Sequence, residues 1–117
     1  VLPSLFDGWG AVVNEALQSG MRVLCSTACG AASLLDGRQR GGSFDPDRPE
    51  SLRRALREWL DKGRLSPAER NAIAAWAEQT ISGAAAARYL VHIVHYTEGR
   101  EENRPAAPWD PLKETAS

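Results

Sequence analysis

VLPSLFDGWGAVVNEALQSGMRVLC, residues 1–25, decides the fold. Val1 to Leu5 is a short apolar run broken by Pro3, as at the end of a strand that leads into a loop. Asp7-Gly8-Trp9-Gly10 follows, a turn rich in residues that tolerate unusual backbone angles. Ala11 to Gln18 reads as a helix, because Val12, Val13, Ala16 and Leu17 recur at three- and four-residue spacing. Ser19-Gly20 stops it, with Gly20 as a left-handed cap. Met21 to Cys25 is β-branched and apolar, as in a buried strand. Strand, helix and strand in so short a span favour two parallel strands joined by a crossover helix.

Outward from this unit, Ser26 to Ala32 is a small-residue loop, and a short helix passes through Leu34 and Leu35. The polar, glycine-rich stretch from Asp36 leads to a brief strand at Gly42–Phe44. Pro49 then opens an amphipathic helix over about residues 50–62, with Leu52, Ala55, Leu56, Trp59 and Leu60 on one stripe. Ser66-Pro67-Ala68-Glu69 is a capping box, in which hydroxyl and carboxylate each accept from the other residue's amide. The helix behind it carries Ala72, Ile73, Trp76, Ala77, Thr80 and Ile81 on one side. A last helix, about 84–96, carries Ala85, Tyr89, His92, Ile93 and Tyr96. The expected organisation is an α/β domain over 1–97 and an irregular tail over 98–117, anchored by Trp109.

The totals exclude several classes. Apolar residues are 43% and charged residues 25% of 117, an ordinary globular composition, and the net charge is −1. No basic field points to nucleic acid, and no apolar run reaches the roughly 18–20 residues of a membrane helix. Cys25, Cys29, His92 and His95 make a CxxxC…HxxH set on paper. Cys25 reads as buried in a strand, so reduced thiols in a cytoplasmic protein are the expectation, and no metal site. A chain that begins at Val1, in what reads as a strand end, is expected to be a fragment of a longer protein.

The turn before the first helix can hold a ligand. A helix start leaves about four amides without intrahelical acceptors and carries a partial positive charge. Gly8 and Gly10 would let an oxygen come close to the backbone. Asp7 and Glu15 lie at the two ends of the segment. Ionised carboxylates only accept hydrogen bonds, so both suit the hydroxyls of a sugar. Acids beside a helix start also suit its dipole with no ligand at all.

The segment from Pro3 to Leu35 resembles the donor-binding region of family 4 retaining glycosyltransferases, which have the GT-B fold. That family reads PS-x-x-E-G-F-G, a second acid completing E-x7-E, then EA-x-x-x-G-x-P-V-V and a small-residue GG loop. Here the matching pieces are PSLFDGWG, Glu15-Ala16, LQSGMRVL and STACGAASLL. Further on, GGSFDPDRPESLRRAL is similar to the family's G-x-L-x-x-P-x-D-x-x-x-L-x-x-A-L, so the match in order and spacing spans about residues 1–60.

The resemblance implies the C-terminal portion of a Rossmann-like GT-B donor-binding domain, short parallel strands followed by three helices. It implies transfer of a sugar, with retention, from a nucleotide-diphosphate sugar. That donor is a substrate; no cofactor and no metal are implied. By position, Asp7 takes the place of the first glutamate, which lies near the donor sugar as nucleophile or stabiliser. Gly8, Trp9, Gly10 and Ala11 fall where backbone amides meet the donor sugar and phosphate. Glu15 matches the acid that binds the ribose hydroxyls, and Gly30 the second glycine of the small loop.

Several positions depart from the pattern. Asp7 is one methylene shorter than glutamate, Trp9 stands for phenylalanine or tyrosine, and Met21-Arg22 for a T-P pair. Cys29 replaces the first loop glycine, and Ser33 a usual glutamate. Trp9 has a second reading as a packed turn aromatic, Cys29 as a packed small residue and Thr27 as a loop cap. The family's diphosphate-binding Arg and Lys, and the N-terminal domain that binds a glycan, lipid or small-molecule acceptor, would precede these residues. Residues 1–117 alone are therefore expected not to turn over and to self-associate. The full-length protein would be cytoplasmic or peripheral at the inner membrane face. The alternatives are a non-catalytic helical interaction module and a receiver-like nucleotide-binding regulator.

Overall fold

The computed structural model describes residues 1–110. Tail residues 111–117 lie outside the described part. The elements run α1 (Ala11–Gln18), β1 (Val23–Ser26), a 3-10 turn (Gly30–Leu34), β2 (Gly41–Phe44), α2 (Pro49–Asp61), α3 (Pro67–Ile81) and α4 (Gly83–Thr97). The chain divides into two units, Val1–Ala75 and from Trp76 onward, with α3 running through the boundary.

In the first unit β1 and β2 pair in parallel, from Val23 opposite Gly41 to Ser26 opposite Phe44. The segment before α1 joins β1 on its other side. Leu2 forms a parallel bridge with Cys25, with Leu2 N–H donating to Leu24 O at 2.8 Å and Ser26 N–H to Leu2 O at 3.0 Å. The expected pair of parallel strands around α1 is thus present, with the first reduced to one bridge. The second begins at Val23 rather than Met21, because Met21 is exposed and Arg22 only partly buried.

Every residue of β1 is buried, and Val13, Leu17, Cys29, Ala31, Leu34, Phe44 and Ile73 join it in the core of this unit. Val13 and Leu17 are one turn apart on the face of α1 that the apolar spacing selects. Burial of a Leu or Ile such as Leu17, Leu34 or Ile73 contributes roughly 1.5–3 kcal/mol. Gly20 ends α1 at φ +70, and Met21 N–H closes back on Ala16 O at 2.9 Å, the expected left-handed cap.

Asp36 organises the loop before β2. Its Oδ1 accepts from the amides of Arg38, Gln39 and Arg40 at 2.9, 3.0 and 3.1 Å. Partial burial pushes this carboxyl up, but the three amides and the Arg40 guanidinium outweigh it and hold it below its ordinary value.

The stripe on α2 divides into two parts. Trp59 lies against Gly42, where a Cβ would come within 3.2 Å of Trp59 Nε1. Leu60 is 76% exposed, and no residue of α2 is fully buried. An amphipathic pattern states which face is apolar but not how much of it is covered.

The capping box forms as read. Glu69 N–H donates to Ser66 Oγ at 3.2 Å, and Ser66 N–H to Glu69 Oε2 at 2.7 Å. Ser66→Ala is expected to cost about 1 kcal/mol, read as a lowered urea midpoint with an unchanged slope.

In the second unit Ala77, Thr80, Ile81, Ser82 and Ala85 are buried. Ser82 caps α4 through its Oγ, which accepts from Ala85 N–H at 3.1 Å. The stripe read on α4 holds for Ala85, while Tyr89 and Ile93 are half-buried and His92 and Tyr96 exposed. Trp109 meets Tyr89 edge-on at 6.2 Å between ring centres, the anchor expected of the tail. His92 Nδ1 pairs with Glu101 at 2.9 Å, and the described residues contain no cluster of three or more His, Cys, Asp or Glu placed to hold a metal ion. None of the described helices is long and apolar enough to cross a membrane.

Candidate functional site

Two loops meet at the C-terminal end of β1, one leading into α1 and one leaving the strand. They are laced together along the backbone. Asp7 forms a parallel bridge with Cys29; its N–H donates to Ala28 O at 3.2 Å, and its carbonyl accepts from Gly30 N–H at 3.2 Å. Trp9 O accepts twice, from Ala31 N–H at 2.7 Å and from Cys29 Sγ at 3.0 Å.

This lacing explains two of the glycines. Gly10 sits at φ +87, and a Cβ there would lie 2.4 Å from Cys29 Sγ. At Gly30 a Cβ would lie 2.3 Å from the Gly8 carbonyl oxygen. Gly8 is different: it is exposed, has no left-handed backbone, and a Cβ would meet nothing within 4 Å. No internal packing requires glycine at that position.

Gly10 caps α1 with no side-chain hydrogen bond, and the first turn holds no acid. Val13 N–H closes on Gly10 O at 2.9 Å, and among the described residues the amides of Ala11 and Val12 before it have no acceptor. Uncompensated amides with the positive end of the helix dipole attract an anion or a sugar oxygen.

Asp7 is half-buried, and its Oδ1 accepts from Trp9 N–H at 3.0 Å. That bond shapes the turn and leaves Oδ2 for another donor. Glu15 is exposed one helical turn beyond Ala11, on the open side of α1 with Ala11 and Val12. Its carboxylate has no partner among the described residues. Trp9 is half-buried, and its indole Nε1–H donates to Asn14 Oδ1 at 3.0 Å.

The structure therefore brings Asp7, Gly8, Trp9, Gly10 and Gly30 into one laced pair of loops, with Ala11 and Glu15 along the helix that leaves it. Sequence reasoning missed Asn14, which holds the Trp9 ring, and the Cys29 thiol as a donor to the Trp9 carbonyl. An Asn five residues after the tryptophan is the only local signal for the first. Cys29 was read as a packed small residue, and it is buried. Thr27 is exposed, and its N–H donates to Phe44 O at 2.9 Å, a loop contact.

Both cysteines are free thiols. Burial first, then the hydrogen bond the thiol gives to Cys29, pushes the Cys25 thiol up from 9.0 to about 12. The folded chain thus keeps a proton that the unfolded chain loses. The stabilisation is complete below pH 9.0 and is lost progressively up to about 12. Urea midpoints are expected to fall across that window, and Cys25→Ala to remove part of the slope.

Residues 1–79 match the family described as Glycosyl transferases group 1. A sucrose synthase from Denitrovibrio acetiphilus is 27% identical over 67 residues, which cover 57% of this chain and 8% of that protein. The chain therefore spans only a small part of the curated relative it resembles. No solved structure matches. With the family matched over most of its length, the chain belongs to the group 1 glycosyltransferases.

Proposed function

We propose that this group 1 glycosyltransferase chain contributes donor binding to an enzyme that transfers a sugar, with retention, from a nucleotide-diphosphate sugar to an acceptor. On this reading the domain is the later part of a Rossmann-like GT-B donor domain. The laced loops carry the donor, and residues 1–117 by themselves do not turn over.

The observation that carries the reading is the open run along α1. It begins at Gly8, which no internal contact requires to be glycine, passes the unaccepted amides of Ala11 and Val12, and reaches the unpartnered carboxylate of Glu15. Helix-start amides suit the diphosphate, and a carboxylate one turn further suits the two hydroxyls of a ribose. Asp7 offers its remaining oxygen toward the transferred sugar, and Gly30 keeps the second loop close enough to hold the first in place. Preorganised donors of this kind stabilise the charge that develops on a departing diphosphate.

Thermal unfolding with UDP- and GDP-sugars tests the reading. The melting temperature rises with donor concentration if the site is a donor site, and the rise is lost in Glu15→Ala. A melting temperature indifferent to every nucleotide sugar would instead favour a helical interaction module.

A further inference from the structure

At the opposite end of β1 three arginines surround one hollow. Gly20, Met21 and Arg22 lead from α1 into the strand, and Arg64, Leu65 and Arg70 belong to the start of α3 and the turn before it. Together they line a cavity of about 390 Å³. No acidic residue is among them.

Arg22 is the inner wall. Its side chain is 19% exposed, and its guanidinium lies over the Trp59 ring, 5.1 Å from the centroid. Its Nη2 reaches Glu69 Oε1 at 3.3 Å and its Nη1 the Gly63 carbonyl at 3.5 Å, both long for charged hydrogen bonds. Its Nε is buried and has no hydrogen-bond partner among the described residues. Glu69 gives Arg22 only part of its charge, since its other oxygen is held by the Ser66 amide. Arg64 and Arg70 are exposed, and neither guanidinium has a partner among the described residues.

Guanidinium groups stay protonated at every working pH. Three of them around one hollow, with one weakly held carboxylate nearby, leave an excess of positive charge. Their planar forks match the oxygens of a carboxylate or a phosphate, and a phosphate monoester, at about −1.5 to −2, answers three cations more fully. Met21 and Leu65 add apolar wall, and the volume falls in the range of small-molecule sites, roughly 300–1,000 Å³. We propose that this hollow binds a phosphomonoester, with the phosphate on Arg22, Arg64 and Arg70 and the carbon part against Met21 and Leu65. It is a second anion site, separate from the donor loops, because those lie at the other end of β1.

Melting temperatures of residues 1–117 in sodium phosphate, in glycerol phosphate and in sodium chloride of equal ionic strength test it. Flotation with phosphatidylcholine vesicles, with and without phosphatidic acid, tests whether the phosphate belongs to a lipid. Arg64→Gln/Arg70→Gln removes two exposed cations and leaves Arg22 in its packing. Phosphate and glycerol phosphate are expected to raise the wild-type melting temperature above the chloride control, with apparent affinity about tenfold weaker in the double variant. Vesicle binding that requires phosphatidic acid and both arginines supports the site with a lipid headgroup as its source. Stabilisation by the soluble esters without vesicle binding supports a free metabolite. An equal phosphate effect in both proteins, or none with either ester or vesicle, overturns the proposal. Glu15→Ala is expected to keep the phosphate effect, so that losing it there places the anion at the donor loops and overturns the second site, whereas losing only nucleotide-sugar binding concerns the donor site alone.

Discussion

Gly10→Ala is expected to be among the most damaging single-methyl changes in the chain. The left-handed backbone at φ +87 is unfavourable for any residue with a Cβ, and that Cβ would stand 2.4 Å from Cys29 Sγ and 3.1 Å from Leu2 Cδ2. Backbone strain and overpacking together amount to roughly 2–5 kcal/mol. A small domain has only about 5–15 kcal/mol in all, so the urea midpoint should fall by a large fraction of its value. Gly8→Ala, two residues earlier, is the control. Nothing lies within 4 Å of its added carbon, so its urea midpoint should move by less than the equivalent of about 0.5 kcal/mol. Equal midpoints for the two variants would show that the lacing of the two loops does not depend on Gly10.

Glu15→Ala is expected to have the opposite profile, leaving the fold intact and removing the ligand. The side chain is exposed and unpartnered among the described residues, so the stability change should stay within about 0.5 kcal/mol. A charged hydrogen bond to a hydroxyl contributes about 1.5–3 kcal/mol. Its loss corresponds to roughly 10–100-fold weaker nucleotide-sugar binding in a calorimetric titration. Glu15→Gln keeps the shape and one acceptor oxygen without the charge, and should fall between. Wild-type affinity in Glu15→Ala would remove Glu15 from the donor site.

Most of the local signals in this chain could be read before the structure. The capping box at Ser66 and Glu69, the Gly20 stop and the parallel strands around α1 each depend on residues a few positions apart, or on one apolar period. What escaped the reading depends on partners far away in sequence. Arg22 sits in a strand-like run, but its side chain turns to Trp59, Gly63 and Glu69, and β1 starts at Val23, two residues after Met21. The face of α2 was legible as apolar, but its coverage was not, because coverage is a property of neighbours. At the candidate site the positions of Gly8, Gly10 and Glu15 followed from spacing. The thiol that donates to the Trp9 carbonyl from Cys29, 20 residues on, follows no pattern of spacing or period.

The lacing of the two loops also bears on how this protein can change over generations. Cys29 Sγ fills the space that a side chain at position 10 would need, and the Gly8 carbonyl fills the space at position 30. Neither loop can therefore be altered alone without displacing the other. Shortening residue 29 would open room beside position 10 yet leave the backbone requirement there unchanged. The fold therefore fixes glycine at both laced positions, at 10 through its backbone angle and at 30 through a backbone carbonyl, whereas packing makes no such demand at Gly8, where only a ligand could.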